Sequence, residues 1–141
     1  MTVYIDTSVL VAYYWPEKRS RAAQAAIRRA DGPAISPLVE AEFHSALALK
    51  TRRGDMDVEC ARRILSVFGL HRADGIYRVV SIQAREYVLA CQWIGTFRSS
   101  LRTLDALHLA AAFTHGLTLI TADKALAESA RCFGVTYKLI R

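Results

Sequence analysis

The apolar positions along this chain change their period repeatedly. Short β-branched runs, Val3–Ile5, Ala34–Ser36, Ile76–Val80, Leu117–Thr121 and Val135–Leu139, alternate with longer stretches rich in Ala, Leu and Arg. Continuous apolar runs of that length suit strands covered on both faces. Their alternation with helical stretches predicts an α/β layer fold around a mostly parallel sheet of about five strands.

Punctuation residues bound the helices. Pro16 opens one through Ala30, closed by Asp31-Gly32-Pro33, and Ser36 followed by Pro37 caps a second that runs to Arg53 and stops at Gly54. Asp55 is positioned to cap a third through Phe68, stopped at Gly69, and Ser81 a fourth through Trp93. Thr103 would cap a fifth that ends where Gly116 supplies a left-handed residue, and a last helix spans Asp123 to Cys132. The second and third helices follow one another without an intervening strand, which predicts an antiparallel helical hairpin.

The length of 141 residues with 52% hydrophobic content is that of one domain with a sizeable core, residues 1–141. No stretch reads as a linker or a repeat. The N-terminal segment MTVYIDTSVLVAYYW carries an acid and no basic flank, and no run approaches the ~20 apolar residues of a membrane span. Cys60, Cys91 and Cys132 are odd in number, widely spaced and set among apolar residues, the pattern of buried free thiols in a reducing cytoplasm. The net charge of +6 suits a polyanionic partner, and ten of the nineteen basic residues fall between Lys18 and Arg63.

Most of the acids have ordinary explanations. Glu17, Asp31, Asp55, Asp57, Glu59, Asp74, Glu86 and Glu128 fall in turns, helix first turns or charged helical faces. Asp6 differs, because it interrupts VYIDTSVLVAYY at the carboxyl end of the first strand, where open α/β sheets bind ligands. Thr7 and Ser8 add hydroxyls at the same edge. Asp123 has the same relation to the strand before it, just past Thr121. Asp105 shares a helical face with Leu101, Leu109 and Ala112, which is unusual company for a solvated acid. On the second helix Glu40 and Glu42 stand roughly 200° apart, so only one can face a common site, and periodicity does not choose between them.

Converging carboxylates repel by about 4 kcal/mol per pair at ~4 Å and an effective dielectric near 20. A divalent cation removes that conflict. Oxygen ligands without cysteine or paired histidine favour Mg²⁺ or Mn²⁺, which can acidify a bound water and hold phosphoryl oxygens. Together with the basic surplus, this points to phosphodiester hydrolysis.

The segments IDTSVLVAYY, ISPLVEAEFHSAL, LRTLDALHLAAA and LITADKAL, in this order and within this length, resemble a PIN domain, and more closely the toxin-type ribonucleases of the VapC family. The resemblance covers essentially the whole chain and implies a three-layer α/β/α fold with a helical hairpin. It places the helix-borne glutamate six positions after the serine that opens its segment, which fits Ser36 to Glu42 and not Glu40. Asp6, Glu42, Asp105 and Asp123 then form an acidic quartet that holds metal and catalyses, with Ser8 and Thr121 as supporting hydroxyls. The family further implies Mg²⁺- or Mn²⁺-dependent endoribonuclease activity on structured RNA, leaving a 5′-phosphate and a 3′-hydroxyl. It implies a homodimer and a cognate antitoxin that docks on the hairpin and reaches the acidic site. Asp123 leads into LysAlaLeu where many relatives carry an aromatic.

Further residues belong to the approaches. Lys50, Arg52 and Arg53 end a helix and could grip phosphates as well as complement its dipole, and Arg98 and Arg102 flank the approach to Asp105. His108, one turn after Asp105, is either a partner of the site or a packed histidine. Tyr13, Tyr14 and Trp15 resemble a stacking platform or core, and Leu47, Ile64, Leu65 and Phe68 a partner groove or core. Two rival readings are an aspartyl-nucleophile phosphatase and a non-catalytic binding domain. The first wants an acid two residues after Asp6, where Ser8 stands; the second would lack a carboxylate, and all four are present.

Overall fold

The computed structural model describes residues 1–141. Five strands, β1 (Val3–Ile5), β2 (Ala34–Ile35), β3 (Arg78–Val79), β4 (Thr118–Thr121) and β5 (Tyr137–Leu139), form one sheet in the order β3-β2-β1-β4-β5, and every pairing is parallel. The helices are α1 (Thr7–Tyr14), α2 (Ser20–Arg29), α3 (Pro37–Arg53), α4 (Val58–Ala73), α5 (Ala84–Ile94), α6 (Thr103–Thr114) and α7 (Lys124–Cys132). Successive strands step one way from β1 to β3 and the other way from β4 to β5. With right-handed crossovers, α1 to α4 therefore cover one face and α5 to α7 the other, in accord with the packing of α1 on α2 and α3 and of α6 on α5 and α7. No helix is long and apolar enough to cross a membrane.

The direction of chain progress reverses between β1 and β4, so the carboxyl ends of these two strands are the switch point of the sheet. Their register pairs Ile5 with Ile120, and Asp6 continues the ladder by donating its backbone N–H to the Ile120 carbonyl (3.0 Å). The core beneath is built from Val3, Tyr4 and Ile5 of β1, Leu119 and Ile120 of β4, and Leu107, Leu109 and Ala111 of α6, all buried.

Several element ends differ from the sequence expectation. The segment Thr7–Tyr14, whose β-branched and aromatic residues suggest no helix, is α1, because Val9, Leu10 and Ala12 bury one face on the sheet. Pro16 lies between helices instead of opening one. It holds Trp15 in an extended conformation that ends α1, and α2 starts at Ser20. Buried Met56 shifts the cap of α4 from Asp55 to Asp57, whose Oδ1 accepts from the Cys60 N–H (2.7 Å). Gly69 does not stop α4, which runs to Ala73 and turns at Gly75 with φ of 74°. Val80 stays bonded to the Ile35 carbonyl (2.9 Å), so α5 starts at Ala84 with Gln83 as its cap in place of Ser81. Thr103 is the first residue of α6 and Arg102 its cap.

Other ends are as the residues dictate. Ser36 Oγ accepts from the Val39 N–H (3.2 Å) with Pro37 in the first turn, and Gly54 closes α3 in the left-handed region at φ of 80°. A side-chain ion pair between Glu40 at the start of α3 and Arg72 at the end of α4 fastens the two into an antiparallel hairpin. The cysteines are free, but Cys91 and Cys132 are exposed and Cys60 half-buried, because α5 and α7 turn those positions outward.

Candidate active site at the sheet switch point

Asp6, Glu42, Asp105 and Asp123, far apart in sequence, line one open cleft of about 400 Å³ together with Ser8 and His108. Three of the four stand at helix N-termini. Asp6 precedes α1, Asp105 lies in the first turn of α6, and Asp123 caps α7. The positive ends of three helix dipoles thus meet where the acids gather, which favours negative charge there. Glu42 enters from the second turn of α3, while Glu40 is committed to Arg72 outside the cleft.

Three of the four carboxylates are each held by one oxygen. Asp6 Oδ2 accepts from Ser8 Oγ (2.6 Å) and Thr121 Oγ1 (2.9 Å), and these hydroxyls in turn accept from the Ala122 N–H (3.0 Å) and the Asp123 N–H (3.0 Å). Glu42 Oε1 accepts from Thr7 Oγ1 (2.7 Å) and from His108 Nε2. Asp123 Oδ1 accepts from the Ala125 N–H (2.8 Å) and the Leu126 N–H (3.3 Å). Asp6 Oδ1, Glu42 Oε2, Asp123 Oδ2 and both oxygens of Asp105 take no hydrogen bond from the protein. Held in this way, the acids share the cleft without any three drawing together tightly enough to enclose a cation.

The electrostatics follow from this crowding. Burial and the charges of Asp123, Asp6 and Glu42 push the Asp105 carboxyl up, against a smaller opposing pull from His108. Burial would raise Glu42 as well, but the hydrogen bond and charge of His108, with the Thr7 bond, outweigh it and hold that carboxyl below the usual range. The same contact works in reverse on His108. Burial depresses the imidazole, and the Glu42 bond together with the charges of Asp6, Glu42 and Asp105 raises it above its ordinary value. His108 Nδ1 lies 2.7 Å from Tyr4 Oη, which lies 2.8 Å from Ser36 Oγ, so a buried chain of polar groups runs from the cap of α3 to the cleft. Burial lifts the Tyr4 phenol far above its usual range, so it stays protonated.

Several residues weighed from the sequence lie elsewhere. None of Lys50, Arg52, Arg53, Arg98 and Arg102 lines the cleft. Lys50 Nζ sits 5.7 Å from the Trp15 ring centre, and Arg98 Cζ 5.4 Å from that of Phe133. Tyr13, Tyr14 and Trp15 pack half-buried against the core, and Tyr14 Oη bonds His71 Nδ1 (2.6 Å) and Tyr77 Oη (2.8 Å). Leu47 and Phe68 are core, while Leu65 and Phe68 with Glu40, His44 and Arg72 also line a groove on the hairpin. Glu86 corrects the sequence reading. It is fully buried between α5 and α6, with Arg85 Nε at 3.2 Å and Thr114 Oγ1 at 3.3 Å, because the packing of those helices closes over the first turn of α5. A helical wheel carries no sign of this.

A doubly wound parallel α/β sheet with an acidic cleft at its switch point defines the class of this protein. The PIN domain family model matches residues 3–131, and the chain belongs to that family. No match is found among curated proteins. Among solved structures the fold is similar to that of VapBC2 from Rickettsia felis, solved with a DNA fragment from its promoter, at TM-score 0.72, 15% identity and full coverage of both chains. It is also similar to FitAcB from Neisseria gonorrhoeae, at TM-score 0.69, 17% identity and coverage of 97% of this chain and 96% of that one. VapC20 from Mycobacterium tuberculosis, a sarcin-ricin loop cleaving toxin, aligns at TM-score 0.67, 18% identity and coverage of 90% and 94%.

Proposed function

We propose that this protein is a metal-dependent endoribonuclease and the toxin of a type II toxin–antitoxin pair. The observation that carries this reading is the cleft itself: four carboxylates from four elements, each anchored through no more than one oxygen. An all-oxygen donor set of that kind suits Mg²⁺ or Mn²⁺ by its chemistry, and a bound ion would draw the carboxylates closer than they stand here. Asp6, Glu42 and Asp105 would hold the ion, with Asp123 acting through water or on the attacking water. When bound, the metal supplies an acidified water and charge stabilisation at the phosphoryl group.

The chain's own residues set the stage for that chemistry. Ser8 and Thr121 fix the Asp6 carboxylate from one side, and Thr7 and His108 fix Glu42. Without a cation, burial and the charges of Asp123, Asp6 and Glu42 push the Asp105 carboxyl upward, a conflict that a bound cation would relieve. RNA is the substrate class that joins this cleft to a protein of net charge +6. The likeness to VapBC and FitAcB structures supports an antitoxin as partner; we propose the hairpin groove between α3 and α4 as its seat and a homodimer as the assembled form.

Asp6→Asn and Asp105→Asn, made separately, test the reading. Each is expected to abolish Mn²⁺- or Mg²⁺-dependent cleavage of cellular RNA while leaving the protein folded; full cleavage by both would refute it. Induced expression followed by sequencing of new 5′-phosphate ends names the target.

A further inference from the structure

A second cavity of about 400 Å³ lies outside the acidic cleft, between the α5–α6 connection and α7. Arg98, Ser99 and Ser100 line it from the connection, and Glu128, Ser129 and Arg131 from α7. Neither arginine has an acidic group within ion-pair distance; the ion pairs of the protein all lie elsewhere. Ser129 is 97% buried by residue area, at 3% exposure, and its hydroxyl makes no hydrogen bond within the protein. Since no enclosed side-chain polar atom lacks a partner, that hydroxyl opens on the cavity.

The rim is held in place. Arg98 lies across Phe133, which stacks on Trp93 at 5.3 Å, and Leu101 is buried with its N–H donated to Ser99 Oγ (3.2 Å). The neighbouring Phe97 is 90% exposed and is the sole non-glycine residue at positive φ, 55°. A bulky side chain held there costs on the order of 1–3 kcal/mol and does no packing in return.

The cavity and the acidic cleft have no lining residue in common, but each is lined from the same two neighbouring stretches of chain. α7 carries Asp123 into the cleft and Glu128 and Arg131 into the cavity, and the connection that supplies Arg98 leads straight to Leu104 and Asp105. At 1.5 Å rise per residue, the cavity wall of α7 lies roughly 7–12 Å along its axis from Asp123.

We propose that this cavity binds a nucleotide of single-stranded RNA that flanks the bond held at the acidic cleft. The proposal rests on the nuclease reading. Arg98 and Arg131 take the phosphate, and the serine hydroxyls bond phosphate or ribose. Glu128 accepts from the amino edge of a base and repels a bare phosphate. The exposed ring of Phe97 offers a face on which a base stacks.

The test is fluorescence anisotropy with a labelled single-stranded RNA of roughly eight nucleotides, within the usual site size, in EDTA so that no cleavage occurs. Arg131→Gln, exposed and outside the core, and Arg98→Gln are each expected to weaken binding several-fold and to reduce the salt dependence by about 0.7 in slope. Phe97→Ala is expected to weaken binding without changing that slope. Mn²⁺ binding and the melting temperature are expected to stay as in the parent. A 5′-mononucleotide is expected to compete better than inorganic phosphate. Parent-like RNA affinity in both arginine variants, or equal competition by phosphate, overturns the subsite. If the variants lose RNA affinity as expected but the parent cleaves no RNA with either metal, the subsite stands and the nuclease reading falls.

Discussion

His108 meets Glu42 through Nε2 and Tyr4 through Nδ1, so both ring nitrogens of one buried imidazole are engaged, and one of the partners is a carboxylate of the cleft. No other residue of α6 spans the distance from the β1 core to α3 in this way among the side-chain hydrogen bonds of the protein. His108 is therefore a positioning residue for Glu42. Replacing it with Gln is expected to cost about 1–2 kcal/mol of stability, since the half-buried Glu42 carboxylate loses a charged hydrogen-bond partner. It should also weaken Mn²⁺ binding by 10–100-fold, as for other partners of metal ligands. Urea unfolding in EDTA and a Mn²⁺ titration check this; unchanged values in both would remove His108 from the site.

The pH dependence of the metal-free protein has a defined window. Glu42 is lowered from 4.5, so its contribution is present above that value and is lost as pH falls through its depressed folded value. His108 is raised from 6.5, so its contribution is complete below that value and is lost as pH rises through its raised folded value. The pair therefore stabilises most between about pH 4.5 and 6.5. Melting temperature against pH in EDTA is expected to peak there, and Glu42→Gln to flatten the peak on both sides.

Asp105 has the opposite standing. Its carboxyl is raised by burial and by like charges, so it disfavours the folded state increasingly as pH climbs past 3.8 through its raised value. Asp105→Asn is expected to stabilise the EDTA-treated protein at neutral pH, by an amount that grows as pH rises, while abolishing cleavage. Differential scanning fluorimetry beside an RNA assay reads both. A destabilised Asn variant would mean that the crowding described is not felt.

Divalent cation should reverse that order. At a concentration about a hundred times its dissociation constant, Mn²⁺ is expected to stabilise the parent by about 2.7 kcal/mol. Asp6→Asn and Asp105→Asn should show little of this, and the parent's gain should grow with pH as the ligands lose their protons. Melts with and without EDTA across pH 5 to 8 provide the measurement, with a cation gain in all three proteins as the contrary outcome.

Glu86 supplies a control remote from the cleft. Glu86→Ala removes a fully buried carboxylate and leaves Thr114 Oγ1 without that acceptor. Arg85 is largely solvated, so its share is small. The loss of stability is expected at about 1–3 kcal/mol, with Mn²⁺ affinity parent-like in the folded fraction.

The two levels at which the sequence is informative are visible in particular residues. Ile5 and Ile120 belong to apolar runs with turn residues after them, so the strands and the acids at their ends stand out from period alone. Ser36-Pro37 and Gly54 mark α3 because capping and the left-handed turn are local chemistry. Thr7–Tyr14 misleads for the converse reason: its local preference is for strand, and burial of Val9 and Leu10 against the sheet overrides it. The choice of Glu42 over Glu40 came from a family spacing, since the helix wheel treats them alike. The partner of His108, the burial of Glu86 and the cavity beside Arg98 arise from contacts between elements distant in sequence, which no periodicity encodes.

The four carboxylates of the cleft come from the end of β1, from α3, from α6 and from the cap of α7, spread from position 6 to position 123. No fragment of the chain contains the cleft, and neither does any intermediate that has formed only its local helices. Parallel strands brought together over such separations are among the slow steps of folding. A polypeptide emerging from the ribosome therefore passes most of its synthesis without the cleft. The four acids come to face one another only when β4 docks beside β1.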